Sequence, residues 1–547
     1  MQPDAPEGRE DCLYLNIFRP IRRAESQPLL PVLFYIFGGA LKSGDSVWGS
    51  PSLKSIISLY HGGRIAAEED VIFVSANYRL GLLSFLATFD DGIIGNLGFL
   101  DQRLAMKWVQ DNIQSFGGDP GRVLLYGESA GAFSVAFHVV SEASFGLFSS
   151  AAMLSGTAES TWFFQPREKA IGMYEAFSEY LGCGPEGNPG RLFQAAGLQE
   201  KLATNSTHHD VLECVQSLKL ESLFSSFQEW RNRLVNYRGV ARSLQPRWVP
   251  QWVPPLWLET PFGAIIDGHP DGLLASPLSL IKNGRHAKVP LILGVTSDEG
   301  IFFVNHLHRF LPGVSKWDAF RPNDELVNRA IKWVFGNQAE KVHAIYPGEK
   351  CEKGTSPAFA CDNKLRLATL LGDALFKCST LSVAAHWTSP VWLYLFDASL
   401  DLLHPFYGVS HATDIPFVTR SDETLLVASP GSFSAAKAAS LAFSGVFARL
   451  GSCQNPNWMT MRGVREDEDA MIDAGTIPKG CVPSDRPNWA EYTEDHREFM
   501  RFRSNSDEPM QLLGFPYEGW PTADTCKRWD DMHPYPWTEL AFAEPLF

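Results

Sequence analysis

The sequence predicts an α/β fold: a mostly parallel central sheet flanked by helices, with long insertions. Three observations carry this. Several short runs are apolar throughout, namely Pro31-Val32-Leu33-Phe34-Tyr35-Ile36-Phe37, Val71-Ile72-Phe73-Val74, Val123-Leu124-Leu125-Tyr126, Val289-Pro290-Leu291-Ile292-Leu293 and Val391-Trp392-Leu393-Tyr394-Leu395-Phe396. Strands buried on both faces of a parallel sheet read this way. Leu100, Leu104 and Trp108, with Ala105 and Val109, recur at helical spacing between two of these runs. Strand, crossover helix, strand is the repeating unit of a parallel sheet. Finally, Val123-Leu124-Leu125-Tyr126 leads into Gly127-Glu128-Ser129-Ala130-Gly131, and Ala132-Phe133-Ser134-Val135-Ala136-Phe137 follows. That reads as strand, sharp turn, helix, with small residues where the chain doubles back.

Taken in order, 13–18 alternates apolar residues and is expected as a strand. The run 31–37 ends in Gly38-Gly39-Ala40, and 71–77 is a further strand. Between 156 and 257 the pattern is mostly helical. Pro290 is best tolerated near the start of its strand. Residues 435–450 read as a helix with Gly451 as its stop signal. The stretch 452–488 is rich in Cys, Pro and Gly and reads as an irregular insertion, and the tail 504–547 carries no periodicity. Nothing resembles a linker, so 1–547 is expected to be one domain.

Composition narrows the function. A chain of 547 residues, 45% hydrophobic and 20% charged, can bury a large core. A net charge of −15 argues against nucleic acid or an anionic membrane as partner. No apolar stretch is expected to span a membrane, and the polar residues 1–6 are no signal peptide. None of the nine cysteines has metal-site spacing, and no cofactor is implied. Cys351 and Cys361, and Cys453 and Cys481, are close enough for local bridges. Cys183 and Cys214 bracket the sequon Asn205-Ser206-Thr207. Paired cysteines and a glycosylation acceptor point to a secreted protein; a set of free buried thiols stays open as the alternative.

The pentad Gly127-Glu128-Ser129-Ala130-Gly131 is weak evidence alone, in a chain with 45 glycines. Its surroundings make it specific: Asn96-Leu97-Gly98-Phe99-Leu100-Asp101-Gln102 and Phe116-Gly117-Gly118-Asp119-Pro120 lead up to it. This block resembles the type B carboxylesterase/lipase family, which includes the cholinesterases. So do Glu10-Asp11-Cys12-Leu13-Tyr14-Leu15-Asn16, Asn77-Tyr78-Arg79-Leu80-Gly81, Phe447-Ala448-Arg449-Leu450-Gly451 and Trp489-Ala490-Glu491-Tyr492. The resemblance implies an α/β-hydrolase fold and a serine carboxylic-ester hydrolase. In the family the Cys matching Cys12 pairs with one upstream, so the chain is expected to be truncated at its N-terminus.

Ester hydrolysis by serine needs a nucleophile, a base, a group orienting the base, and oxyanion donors. In this fold they arrive in the order Ser, acid, His, each beyond the carboxyl end of a strand. Ser129 is the expected nucleophile. The acid lies in Gly294-Val295-Thr296-Ser297-Asp298-Glu299-Gly300; pattern alone leaves Asp298 and Glu299 open, and the resemblance implies Glu299. The base by resemblance is His411 in Gly408-Val409-Ser410-His411-Ala412-Thr413-Asp414, with His404 as the nearby rival. Gly39 and Ala40 by resemblance, and Ala130 beside the nucleophile, supply oxyanion amides. Trp162 and Phe163, with Phe164, Trp252 and Trp257, are pocket candidates that read equally as core. No aromatic residue occurs in 1–9, so choline esters are not supported. The expected substrate is a small-molecule or lipid ester. The alternatives are a noncatalytic adhesion or binding relative, or an inactive fragment.

Overall fold

The apolar runs become strands because a sheet covered on both faces has no place for polar side chains. The computed structural model describes residues 8–21, 28–47, 59–87, 95–158, 163–183, 208–234, 263–347, 362–403, 407–460 and 481–532, less 312, 484–487, 494, 505–506 and 518–519. Its strands in chain order are β1 (Leu15–Phe18), β2 (Leu30–Ile36), β3 (Ile72–Ala76), β4 (Gly118–Glu128), β5 (Ser150–Leu154), β6 (Phe164–Pro166), β7 (Ala264–Ile266), β8 (Leu291–Thr296), β9 (Val391–Asp397), β10 (Trp458–Thr460), β11 (Cys481–Pro483), β12 (Glu498–Arg503) and β13 (Met510–Gly514). Nine of them form one sheet in the order β1-β3-β2-β4-β5-β8-β9-β12-β13. Pairing is parallel from β3 through β12. Within this sheet, among the described residues, only the two edge strands, β1 and β13, pair antiparallel.

The order explains where a site can form. From β2 the chain goes to β3 on one side, then crosses back to β4 on the other. Strand order therefore reverses between β2 and β4, and loops leave their carboxyl ends in opposite directions. A crevice opens at such a switch point. Gly38 follows β2, and Ser129 follows β4.

Helices cover the sheet. Leu97–Asn112 and Ala130–Val140 meet through stacked Phe99 and Phe137, with ring centroids 4.3 Å apart. Phe433–Cys453 lays Phe447 on Tyr126 and Phe443 on Tyr394.

Three expectations need correction, and the tail adds a detail. Gly451 does not stop its helix, which runs on to Cys453 and is capped by Gln454 at φ 55°. A side chain at 451 would meet Leu33 Cδ2 at 2.9 Å and Leu124 Cβ at 3.2 Å, so this glycine serves close packing on the sheet. The 452–488 stretch is not wholly irregular, because β10 and β11 pair antiparallel within it. The tail, read as lacking periodicity, nonetheless contributes β13 to the sheet, and its helix Ala523–Asp530 buries Trp529, whose Nε1 donates to Tyr346 Oη. A helix long and apolar enough to span a membrane does exist, Asn363–His386, and 78% of its apolar window is buried inside the protein. Among the described residues it is a core helix.

Disulfides join Cys183–Cys214 and Cys453–Cys481. A third, Cys378–Cys526, escaped the sequence reading because its partners are 148 residues apart. Cys12 carries a free thiol. Cys351, Cys361 and Asn205 lie outside the described residues.

Candidate active site

Ser129 stands between β4 and the helix Ala130–Val140, with φ 56° and ψ −122°. Few non-glycine residues adopt that backbone, and it persists only where the surroundings impose it. They do so here through close packing. A Cβ at Gly131 would sit 2.0 Å from Ile36 O, and one at Gly127 would sit 2.6 Å from the same oxygen. The elbow thus folds directly onto the end of β2. The Ser129 amide donates to Leu154 O at 2.9 Å, fixing the turn to β5.

The turn after β2 rises beside Ser129, with the Gly38 Cβ position 3.2 Å from Ser129 Cβ. Gly39, Ala40 and Leu41 then take φ 101°, 57° and 56°. Tyr78 Oη donates to Phe37 O, and the Gly81 amide donates to Leu41 O. The 77–81 block therefore braces this turn. Gly39 and Ala40 are exposed, while Ala130 is buried at the start of its helix.

Glu299 opens the helix Glu299–Asn305 beyond β8. It is fully buried, and both carboxylate oxygens are occupied. Oε1 accepts from Ser155 Oγ at 2.5 Å and from the Thr296 amide at 2.8 Å. Oε2 lies 2.7 Å from His411 Nδ1, and His411 Nε2 lies 2.7 Å from Ser129 Oγ. A carboxylate only accepts, so Nδ1 carries the proton and Nε2 is left to accept from the serine hydroxyl. Hydroxyl, imidazole and carboxylate stand in one hydrogen-bonded line.

A profile of the carboxylesterase family matches residues 1–513. The chain belongs to the carboxylesterase family. It is 32% identical over 421 residues to para-nitrobenzyl esterase of Bacillus subtilis, covering 76% of this chain and 68% of that protein. It is 30% identical to a carboxylic ester hydrolase of Bombus ignitus, covering 75% and 66%. It is 29% identical to acetylcholinesterase 1 of Caenorhabditis briggsae, covering 75% and 60%. Among solved structures it resembles a thermophilic PNB esterase, with a TM-score of 0.64, 25% identity, and coverage of 96% of this chain and 84% of that one.

In this carboxylesterase-family site, charge is concentrated around one imidazole. Burial alone would lower the His411 pKa. The negative fields of Glu128 and Glu299, and the hydrogen bond to Glu299, outweigh it and raise the ring above its ordinary value. Burial likewise pushes Glu299 up, but the His411 charge, that hydrogen bond, Ser155 and the Thr296 amide hold it below the usual range. Glu128 and Asp414 are raised chiefly by burial. Glu128 Oε1 lies 3.5 Å from His411 Nε2.

Aromatic rings enclose the imidazole. Phe376 lies 4.7 Å from His411 by ring centroid, Phe303 5.5 Å and Phe302 6.0 Å. The sequence reading missed Phe376 because it sits in a π-helical turn, Asp373–Lys377, with no motif around it. It also missed Ser155, whose one signal was its place directly after an apolar strand. Of the pocket candidates, Phe163 is buried against Phe133, with centroids 4.4 Å apart. Phe133 is on the helix that follows Ser129. Trp162, Trp252, Trp257 and His404 lie outside the described residues. Among the described residues, no group of three or more His, Cys, Asp or Glu side chains is placed to hold a metal ion.

Proposed function

We propose that this protein is a serine carboxylic-ester hydrolase working through an acyl-enzyme. The observation that carries the reading is the continuous line from Ser129 Oγ through His411 to Glu299, with both gaps at 2.7 Å. Ser129 Oγ attacks the ester carbonyl carbon while Nε2 takes its proton. Glu299 stabilises the imidazolium and holds its ring. The carbonyl oxygen becomes an anion facing the amides of Gly39, Ala40 and Ala130, each typically worth ~3 kcal/mol of barrier. Collapse expels the alcohol, which leaves with the proton from Nε2. Water then attacks the acyl-enzyme, giving its proton to Nε2, and the acid departs as Ser129 regains its hydrogen.

The rings of Phe302, Phe303 and Phe376 favour an apolar acyl or alcohol group, so the substrate is a small-molecule or lipid ester. The three disulfides among the described residues support secretion, since such bonds persist in oxidising compartments. A noncatalytic binding role has no need of this aligned line and is not favoured.

Hydrolysis of p-nitrophenyl esters of increasing chain length tests the reading. Ser129→Ala is expected to lose about 10^4-fold or more in kcat. Wild-type turnover in that variant would overturn the proposal. A preference for long chains that rises at an oil interface would select lipase over esterase.

A further inference from the structure

Asp298 is the residue that pattern alone could not separate from Glu299. Its carboxylate is bonded to the loop that carries His411. Oδ2 accepts from the Val409 amide at 2.9 Å, and the Asp298 amide donates to Val409 O at 3.0 Å. Residues 298 and 409 are thus bonded in both directions, across 111 positions of sequence. Although Asp298 occupies the N-cap position of Glu299–Asn305, its side chain makes no cap bond. The oxygen that would ordinarily cap the helix is used by the neighbouring loop.

Gly408 fits the same arrangement. It takes φ 58°, and a Cβ there would lie 2.5 Å from Asp298 Oδ2 and 3.1 Å from its Cγ. The carboxylate fills the space that any side chain at 408 would need. Val409 is buried, and His411 follows two residues later. The loop that delivers His411 leaves β9 at Asp397. On its other side the acid loop is gripped too, because Lys377 Nζ donates to Ser297 O at 2.8 Å and the Ser297 amide donates to Phe396 O at 2.9 Å.

We propose that Asp298 is a positioning residue: by accepting the Val409 amide, its carboxylate fixes the loop bearing His411 against the loop bearing Glu299. The inference rests on the esterase reading for its kinetic consequence and on geometry alone for its structural one. A latch of this kind acts on alignment and leaves substrate binding alone. A misplacement of about 1 Å in such a constellation costs about 100-fold.

The test compares Asp298→Ala, Asp298→Asn and Gly408→Ala, each purified as the full chain. Asp298→Ala is expected to lower kcat for p-nitrophenyl acetate by about 10- to 100-fold with KM nearly unchanged. Asn keeps an acceptor oxygen, so Asp298→Asn is expected to restore most of kcat. Gly408→Ala crowds the same carboxylate and is expected to behave as Asp298→Ala does, which keeps the test open should the first variant fail to fold. Amide exchange read by mass spectrometry on the peptide 407–415 should quicken in the Ala variants and not in Asp298→Asn. Unchanged kcat and exchange in both Ala variants would overturn the latch, as would equal losses in Asp298→Ala and Asp298→Asn. Activity surviving in Ser129→Ala would instead overturn the esterase reading, while the exchange result would still judge the latch.

Discussion

At Ser129 the backbone is held in a conformation it would not choose, and at His411 the charge is held likewise. In the proposed mechanism His411 acts as base only when Nε2 is free of a proton. A ring raised above its ordinary value therefore gains activity later as pH climbs, so the acidic limb of kcat/KM lies above that of an unperturbed imidazole. The Glu128 field is one cause of that elevation. Glu128→Gln removes the negative charge, lowers the His411 pKa, and is expected to move the acidic limb to lower pH. A pH–rate profile on a p-nitrophenyl ester checks the sign; a limb that stays put or moves upward would discount Glu128 as a source of the field. Glu128 lies beside Ser129 in the sequence, where the family resemblance implies either an influence on the field or a buried carboxylate satisfying local backbone, and the sequence leaves the two open. Adjacency on the chain says nothing about an oxygen 3.5 Å from a ring 283 residues further on.

Among elements, the strand–elbow–helix unit is the least forgiving. Gly131 has backbone on the side where a methyl would go, with Ile36 O at 2.0 Å and Phe37 C at 3.1 Å. Backbone cannot swing aside as a side chain can. Gly131→Ala is expected to destabilise at the upper end of the ~1–3 kcal/mol typical of overpacking, and to lower kcat as the elbow shifts. Urea unfolding and ester turnover measure the two effects. This unit was readable in the sequence because small residues and apolar flanks are local requirements. The five central apolar runs were readable for the same reason. β13 and Ala523–Asp530 were not, since Met510-Gln511-Leu512-Leu513-Gly514 has no clean alternation and its place is set by pairing with β12. The Gly451 error has the same root: a small residue packed on Leu33 and Leu124 looks, in one dimension, like a helix end.

For the whole molecule, the tail is tied back across a long span. Cys378 follows the π-helical turn that carries Phe376, and its partner Cys526 is on the helix that buries Trp529. Loss of the bond in Cys378→Ser with Cys526→Ser is expected to cost about 2–5 kcal/mol, read as a lower Tm. An unchanged Tm would mean that packing of Trp529 alone holds the tail. The nine-stranded sheet also has a history written into its order. Ser129 is laid down after β4 and His411 only after β9, 282 residues later. While the ribosome is still adding those residues, the emerging polypeptide carries a serine with no imidazole to draw off its proton. If Ser129 and His411 act as proposed, this polypeptide stays inert until the segment after β9 has been synthesised.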